Sequence, residues 1–355
     1  MADSCCPGGS GASCCAPAPA VLGSAIEVPV ASTALDRRDR LGALKVRLAI
    51  GRNRYRVEPG LYRVGSPGPD SPVLVTANYK LTFDAVRKEL GGIDAWLLVL
   101  DTRGINVWCA AGKGTFGTKE LCTRVLMADL YNVVNHNTLV LPQLGAPGVA
   151  AHEVKAFTGF RVVYGPVCAS DIPAFLAAGM KATPEMRQVT FNLRDRVTLT
   201  GTEIAYAFQP RVLAGVAAVV LLSGFYGLEF SWRAVALRGG TALLAAVLGV
   251  LAGGFVTPAL LPWIPGRMFG LKGAIVGAVF ALPLYALAVD AIGTIAAAAA
   301  ALALVVIASY VAMNYTGTSA ITSPSGVEYE MRRVLPWQIA GAVVAAVLWI
   351  VSAFI

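Results

Sequence analysis

Histidine is nearly missing from this chain: His136 and His152 are the only two in 355 residues. A lone histidine says little about ligation, and both are read as surface or packing residues. A P-loop is also missing. Gly112 and Gly117 have its spacing, but Thr118 stands where the phosphate-binding lysine belongs. No Gly-x-Gly-x-x-Gly follows the first strand of the N-terminal half, and no Gly-x-Ser-x-Gly elbow occurs, so dinucleotide and serine-hydrolase chemistry lack their signatures. The cysteine spacings match no ferredoxin pattern. No nucleic-acid-binding motif is present. The net charge of +8 is better explained by a domain resting beside an anionic membrane leaflet, which the Arg37-Arg38-Asp39-Arg40 cluster suits.

Charge is scarce in the second half, where Ala, Leu, Val and Gly dominate. Five stretches there are long and apolar enough for transmembrane helices: Val212–Leu228, Thr241–Leu261, Gly273–Val289, Ala291–Met313 and Trp337–Ile355. Asp290 and Gly293 predict a tight hairpin between the third and fourth, and Pro283 predicts a kink in the third. Arg211, Arg267, Lys272, Arg332 and Arg333 put the N-terminal domain on the cytoplasmic side of the inner membrane; Arg233 and Arg238 argue mildly against it. The first twenty residues lack the basic start and apolar core of a signal peptide. The expected organisation is a disordered cysteine-containing tail over 1–40, a cytosolic ligand-binding domain over 41–200, a linker over 201–211 and a five-helix transmembrane domain over 212–355.

Seven cysteines in a reducing compartment do not suggest a disulfide framework. Cys5-Cys6 and Cys14-Cys15 form vicinal pairs in a Gly/Pro/Ala/Ser-rich tail. Cys122 falls among apolar neighbours of a helix, which favours packing, and the role of Cys168 stays open.

Between 40 and 200, strands alternate with helices. Strands are expected at Pro72–Ala77, Ala95–Asp101, Thr138–Pro142 and Arg161–Tyr164, with helices at Leu81–Leu90, Lys119–Asp129, Val149–Phe157 and Ser170–Ala178. That order predicts an α/β, Rossmann-like domain: a parallel sheet with flanking helices. Val46–Val64 reads as an added β-hairpin. The strand-to-helix turns at Thr76–Tyr79, Asn106–Thr118, Pro142–Gly148 and Gly165–Cys168 converge on one sheet edge, where open α/β folds bind ligands. Within the second, Asn106 is a good N-cap, and Val107–Ala111 can form one or two helical turns before Gly112, Gly114 and Gly117 stop them. That lifts Cys109 to the rim of a pocket beside Lys113. A helix N-terminus and a lysine favour thiolate, the form that binds soft metals.

The segment Gly104-Ile-Asn-Val-Trp-Cys-Ala-Ala-Gly-Lys-Gly-Thr-Phe-Gly-Thr118 resembles the cap-helix motif of the mercury-methylating corrinoid proteins, membrane-anchored relatives of the corrinoid iron–sulfur protein large subunit. The resemblance extends through Val75–Phe83, Trp96–Thr102, Tyr164–Val167 and the membrane spans. It implies a corrinoid-binding domain that holds a base-off cobalamin-type corrinoid, with Cys109 as axial cobalt ligand and catalytic residue. Asn106, Val107, Trp108, Ala110, Ala111, Gly112, Lys113 and Gly114 would form the cap. Thr76, Asn78, Tyr79, Gly145, Gly148, Gly165, Pro166 and Val167 would hold the ring edge and nucleotide tail. The implied activity is a methyltransferase passing a methyl carbanion equivalent to Hg(II), giving methylmercury. The implied partners are methyltetrahydrofolate as methyl donor and a ferredoxin-like protein with two [4Fe-4S] clusters as reductant. Many cobalamin domains offer imidazole from Asp-x-His-x-x-Gly, and neither histidine here lies in that arrangement.

Cys5, Cys6, Cys14 and Cys15 lie outside the resemblance; they are either candidate Hg(II)-capturing thiols or a passive leader. Two alternatives stay open for the whole chain: a corrinoid methyl carrier of one-carbon metabolism, or a membrane transporter with a cytosolic regulatory domain. The rarity of charge within the spans counts against the transporter.

Overall fold

The computed structural model of the chain describes residues 28–319, 321–322 and 324–355. The tail cysteines Cys5, Cys6, Cys14 and Cys15 lie outside the described residues.

Helix α1 (Arg37–Arg47) starts within the stretch expected as tail. Asp36 caps it, and Asp36 and Asp39 close a reciprocal capping box. Asp39 also receives Lys80 Nζ and Arg87 Nη2, each at 2.5 Å, while Asp84 receives the same two cations at 2.8 and 2.7 Å. Lys80 and Arg87 belong to α2 (Lys80–Arg87), so four charges fasten α1 to α2. Burial would raise the Asp39 carboxyl, but the hydrogen bonds from Lys80 and Arg87 outweigh it and hold the group at about 2. A carboxyl depressed from its ordinary 3.8 contributes stability that is full above that value. The contribution is lost as pH falls toward about 2. Acid titration should therefore loosen α1 between roughly pH 4 and pH 2. Asp39→Asn should remove that transition in hydrogen exchange of Arg40–Arg47; an unchanged profile would refute the assignment.

The sheet contains β1 (Gly60–Val64), β2 (Val73–Ala77), β3 (Ala95–Leu100), β4 (Thr138–Leu141) and β5 (Arg161–Tyr164) in the order β1-β3-β2-β4-β5. Every residue of β2 is buried, as a central strand covered on both faces requires. β2, β3, β4 and β5 are mutually parallel, with Val73 registered against both Trp96 and Leu139. β1 departs from the all-parallel expectation: it runs antiparallel on β3, pairing Gly60 with Val99. The hairpin expected over Val46–Val64 does not form; only its second half is a strand. Val46 and Arg47 close α1 instead, and Ala49 and Gly51 take positive φ of 58° and 68°. The chain turns there instead of extending.

Helices α3 (Val107–Gly112), α4 (Thr118–Met127), α5 (Ala151–Thr158) and α6 (Ile172–Ala177) complete the unit with α2. One core joins Val73, Val75 and Leu98 of the sheet to Leu121, Val125 and Val154 of α4 and α5; another joins Leu74, Leu97 and Val99 to Phe83 and Phe175 of α2 and α6. The sheet is thus covered on both faces. From β2 the chain steps to β3 on one side and later to β4 on the other. The carboxyl ends of β2 and β4 therefore flank a topological switch point, where open α/β sheets hold ligands.

Beyond the sheet run α7 (Leu193–Ala207) and α8 (Pro210–Leu222), which meet at a 60° bend. Among the described residues, four later helices are long and apolar enough to cross a bilayer: α9 (Trp232–Ala259), α10 (Phe269–Ile292), α11 (Thr294–Gly317) and α12 (Ser325–Val351). The expectation of five full spans is thus corrected to four, or five only when the bent pair α7–α8 is taken as one. The thirteen residues of α8 cover about 20 Å, short of the ~30 Å hydrocarbon core. The rest of the expected first span turns back through Gly227 (φ 62°), pairing Phe225–Tyr226 with Glu229–Phe230. Asp290 does not separate the third and fourth spans. It stays helical, and the break is Gly293 alone, at φ 81°. α10 also continues through Pro283 as one helix.

Small residues set the helix spacing. A Cβ on Gly273 would come within 2.5 Å of the Ala308 carbonyl oxygen, and one on Gly277 within 2.8 Å of Ala308 Cβ, so α10 rests closely on α11. Arg238, which argued against the loop-charge orientation, is buried and donates to the carbonyls of Trp349 (2.8 Å) and Ser352 (3.1 Å). It caps the carboxyl end of α12, where a cation complements the helix dipole.

Candidate functional site

Asn106 ends an extended segment (ψ 161°) and accepts the Cys109 N–H at 2.9 Å, starting α3. Cys109 thereby sits in the first turn of α3, partly exposed. The loop before it is held by Asn78 at the end of β2. The Asn78 amide donates to Asp101 (3.0 Å), and its carbonyl oxygen accepts from the N–H of Thr102 (3.1 Å), the Thr102 hydroxyl (2.9 Å) and the N–H of Gly104 (2.9 Å). Glu120 on α4 also accepts the Asp101 N–H at 2.8 Å. Beneath α3, the turn Gln143–Gly148 approaches so closely that a Cβ on Gly148 would fall 2.1 Å from the Phe116 carbonyl oxygen. One on Gly145 would meet the Phe116 ring at 2.5 Å. Asn106→Ala is expected to lower unfolding stability by about 1 kcal/mol, read from denaturant midpoints, because it removes the cap on α3. An unchanged midpoint would show that the cap contributes nothing.

A cavity of about 450 Å³ opens at the switch point. Of the residues expected to bind a ligand, Thr76, Tyr79, Asn106, Val107, Trp108, Cys109, Gly165, Pro166 and Val167 line it. Asn78, Ala110, Ala111, Gly145 and Gly148 do not: Asn78 is saturated by the loop, Ala110 and Ala111 are buried residues of α3 in the sheet core, and Gly145 and Gly148 pack against Phe116. Gly112, Lys113 and Gly114 also lie off the cavity. Lys113 caps the carboxyl end of α3, so it is at the far end of the helix from the turn that carries Cys109.

The Thr76 hydroxyl is buried at the cavity wall and has no hydrogen-bond partner. Such an orphan marks a place where a ligand can supply the missing bond. Burial raises the Tyr79 phenol above its ordinary value, against the influence of Arg52 and Arg47, and Arg52 also hydrogen-bonds it. Cys122 and Cys168 are raised by burial as well and lie off the cavity. Among the described residues, no group of three or more His, Cys, Asp or Glu side chains could hold a metal ion. A metal bound at Cys109 therefore needs its remaining donors from a carrier.

The sequence reading missed part of the lining. Arg47 and Arg52 of the misread hairpin contribute to it, as do Thr198, Leu199 and Thr202 of α7. Ser319, which also lines it, belongs to the hydroxyl-rich stretch 314–326, for which the sequence leaves contact with the α/β domain and a plain solvated loop both open. No periodicity could announce these, because they arrive from remote chain segments.

Residues 35–176 match the model of the CO dehydrogenase/acetyl-CoA synthase delta subunit family, CdhD. The acetyl-CoA decarbonylase/synthase complex subunit gamma of Methanopyrus kandleri is 39% identical over 127 residues, covering 35% of this chain and 27% of the relative. Its counterpart in Archaeoglobus fulgidus is 38% identical over 127 residues, with the same shares of 35% and 27%. The corrinoid/iron-sulfur protein large subunit of Moorella thermoacetica is 35% identical over 127 residues, covering 35% of this chain and 28% of the relative. The chain thus spans little more than a quarter of the length of these curated relatives. Residues 35–176, which carry Cys109, thus match the CdhD family model, and the chain is similar to acetyl-CoA decarbonylase/synthase gamma subunits and to a corrinoid/iron–sulfur protein large subunit.

Proposed function

We propose that the α/β unit holds a base-off corrinoid with Cys109 as its axial ligand, and that the chain transfers a methyl group from it to Hg(II), giving methylmercury. One observation carries this: a single soft donor, Cys109, lines a cavity at the switch point of a corrinoid-protein homologue, beside an orphaned hydroxyl at Thr76. The donor set fits such a group. A macrocycle brings the metal's equatorial donors with it, which matches a site offering one thiol and no side-chain cluster. Its amide arms can satisfy Thr76, and Gly165, Pro166 and Val167 line the same space.

A bound corrinoid would supply a transferable methyl group, and the Cys109 thiol would be the soft donor that holds its metal. The chain's residues do the positioning. Asn106 fixes the turn that presents the thiol, Asn78 fixes the loop before it, and Trp108, Leu144 and Pro166 line the cavity with apolar surface that excludes water. Methyltetrahydrofolate as donor and a ferredoxin-like protein with two [4Fe-4S] clusters as reductant complete the reading. The membrane helices anchor the site to the inner membrane on its cytosolic side.

The homologues favour a second reading, a corrinoid methyl carrier of one-carbon metabolism whose acceptor is not mercury. The two separate in one assay. Purified chain, methylated donor and reductant are given Hg(II) or an acetyl-CoA synthase, and the methyl product is identified. Methylmercury formation supports the first reading; methyl delivery only to the synthase overturns it in favour of the second.

A further inference from the structure

The α/β unit does not complete its own cavity. Thr198, Leu199 and Thr202 of α7 line the same space as Cys109, and Ser319 joins them from the loop after α11. Positions 198 and 202 are one helical turn apart and share a face. All four residues lie outside residues 35–176, the segment that matches the CdhD family model.

α7 is fastened mainly to the membrane helices. The Tyr315 hydroxyl donates to the Arg196 carbonyl at 2.8 Å, and the Arg196 guanidinium lies 5.6 Å from the centre of the Trp263 ring. Leu199 and Phe191 pack against Leu261, Phe269 and Tyr315. Toward the α/β unit the contact is lighter and falls on α1. The Thr202 hydroxyl donates to the Arg47 carbonyl at 3.1 Å, and a Cβ on Gly201 would meet that same oxygen at 3.2 Å. If the domains part, α7 stays with the membrane helices.

Size gives this arrangement a consequence. About 450 Å³ suits a small ligand, and a tetrapyrrole with amide arms and a nucleotide tail exceeds it. We infer that α7 is the roof of the Cys109 site, that a macrocycle held by Cys109 lies between α3 and α7, and that loading requires the α/β unit to part from α7 at the Arg47–Thr202 contact. The hydroxyls of Thr198, Thr202 and Ser319 are then the polar groups on the side where the transferred group leaves. What fills the cavity rests on the corrinoid reading above; the roof itself does not.

Full-length chain in detergent tests this, with Cys122, Cys168 and the four tail cysteines replaced by serine so that Cys109 alone remains. Thr198→Cys and Thr202→Cys are introduced separately, with Leu193→Cys, on the opposite side of α7, as control. Dibromobimane, a short thiol-bridging reagent, should couple Cys109 to position 198 or 202 roughly tenfold more than to position 193, reflecting effective concentration. Preloading with aquocobinamide, followed by its visible spectrum, should suppress that coupling. Absence of excess coupling at both positions overturns the roof. Coupling undiminished while cobinamide is bound overturns the placement of the macrocycle between α3 and α7. Coupling in a protein that never takes up cobinamide, even with all cysteines native, supports the roof and sinks the corrinoid reading instead.

Discussion

On the proposed function, Cys109→Ala is expected to abolish methylmercury formation while leaving the α/β unit folded. The side chain is partly exposed at the cavity, so its removal opens no cavity in either sheet core. Asn106 still caps α3 in the variant, because its bond is to the backbone N–H of residue 109. What disappears is the single soft donor of the site. Altering groups around a metal ligand typically costs 10–100-fold, and loss of the ligand itself should exceed about a hundredfold. The measurement is methylmercury formed per bound corrinoid, read together with the visible spectrum. Cys109→Ser should also fail, since a hydroxyl is a poor donor to a soft centre. Wild-type turnover in either variant would remove the chemical basis of the proposed function.

Gly148→Val is expected to have the largest structural effect. The added Cβ would lie 2.1 Å from the Phe116 carbonyl oxygen and 3.0 Å from Ala111 Cα, both of them backbone atoms that cannot rotate away. Overpacking of this kind costs about 1–3 kcal/mol or more. Relief requires the Gln143–Gly148 turn to retreat from α3, which moves Cys109 relative to Leu144 and Pro142 across the cavity. Thermal unfolding should fall by several degrees, with a larger loss of corrinoid retention. If retention and melting temperature both match wild type, the turn does not position α3. Gly112→Ala is the contrasting control, because a Cβ there meets nothing within 4 Å.

Element by element, the parallel strands and most of their helices were legible because each carries its own periodic signal. Val73–Ala77 and Ala95–Leu100 are short apolar runs bounded by turn residues, and both appear as central strands. The segment around Cys109 was equally legible, since an N-cap three residues before the thiol is a local instruction. The hairpin over Val46–Val64 was misread. Its Arg52 side chain hydrogen-bonds Tyr79, and the Arg47 carbonyl, at the end of α1, accepts from Thr202 of α7. Asn78 holds the loop before α3 and Gly148 sits tight against Phe116 and Ala111, contacts that sequence alone does not show.

The sequence by itself determined the two-part architecture, the parallel sheet, the apolar helices and the capped turn that presents Cys109, since propensity, capping and hydropathy act over a few residues. Only the tertiary structure decided which turns surround the thiol, that Thr76 is left unpartnered, that α8 is a short helix meeting α7 at a bend, and that α7 lines the cavity. Those outcomes depend on contacts between segments far apart in the chain, such as the bond from Thr202 to Arg47, and local sequence carries no record of them.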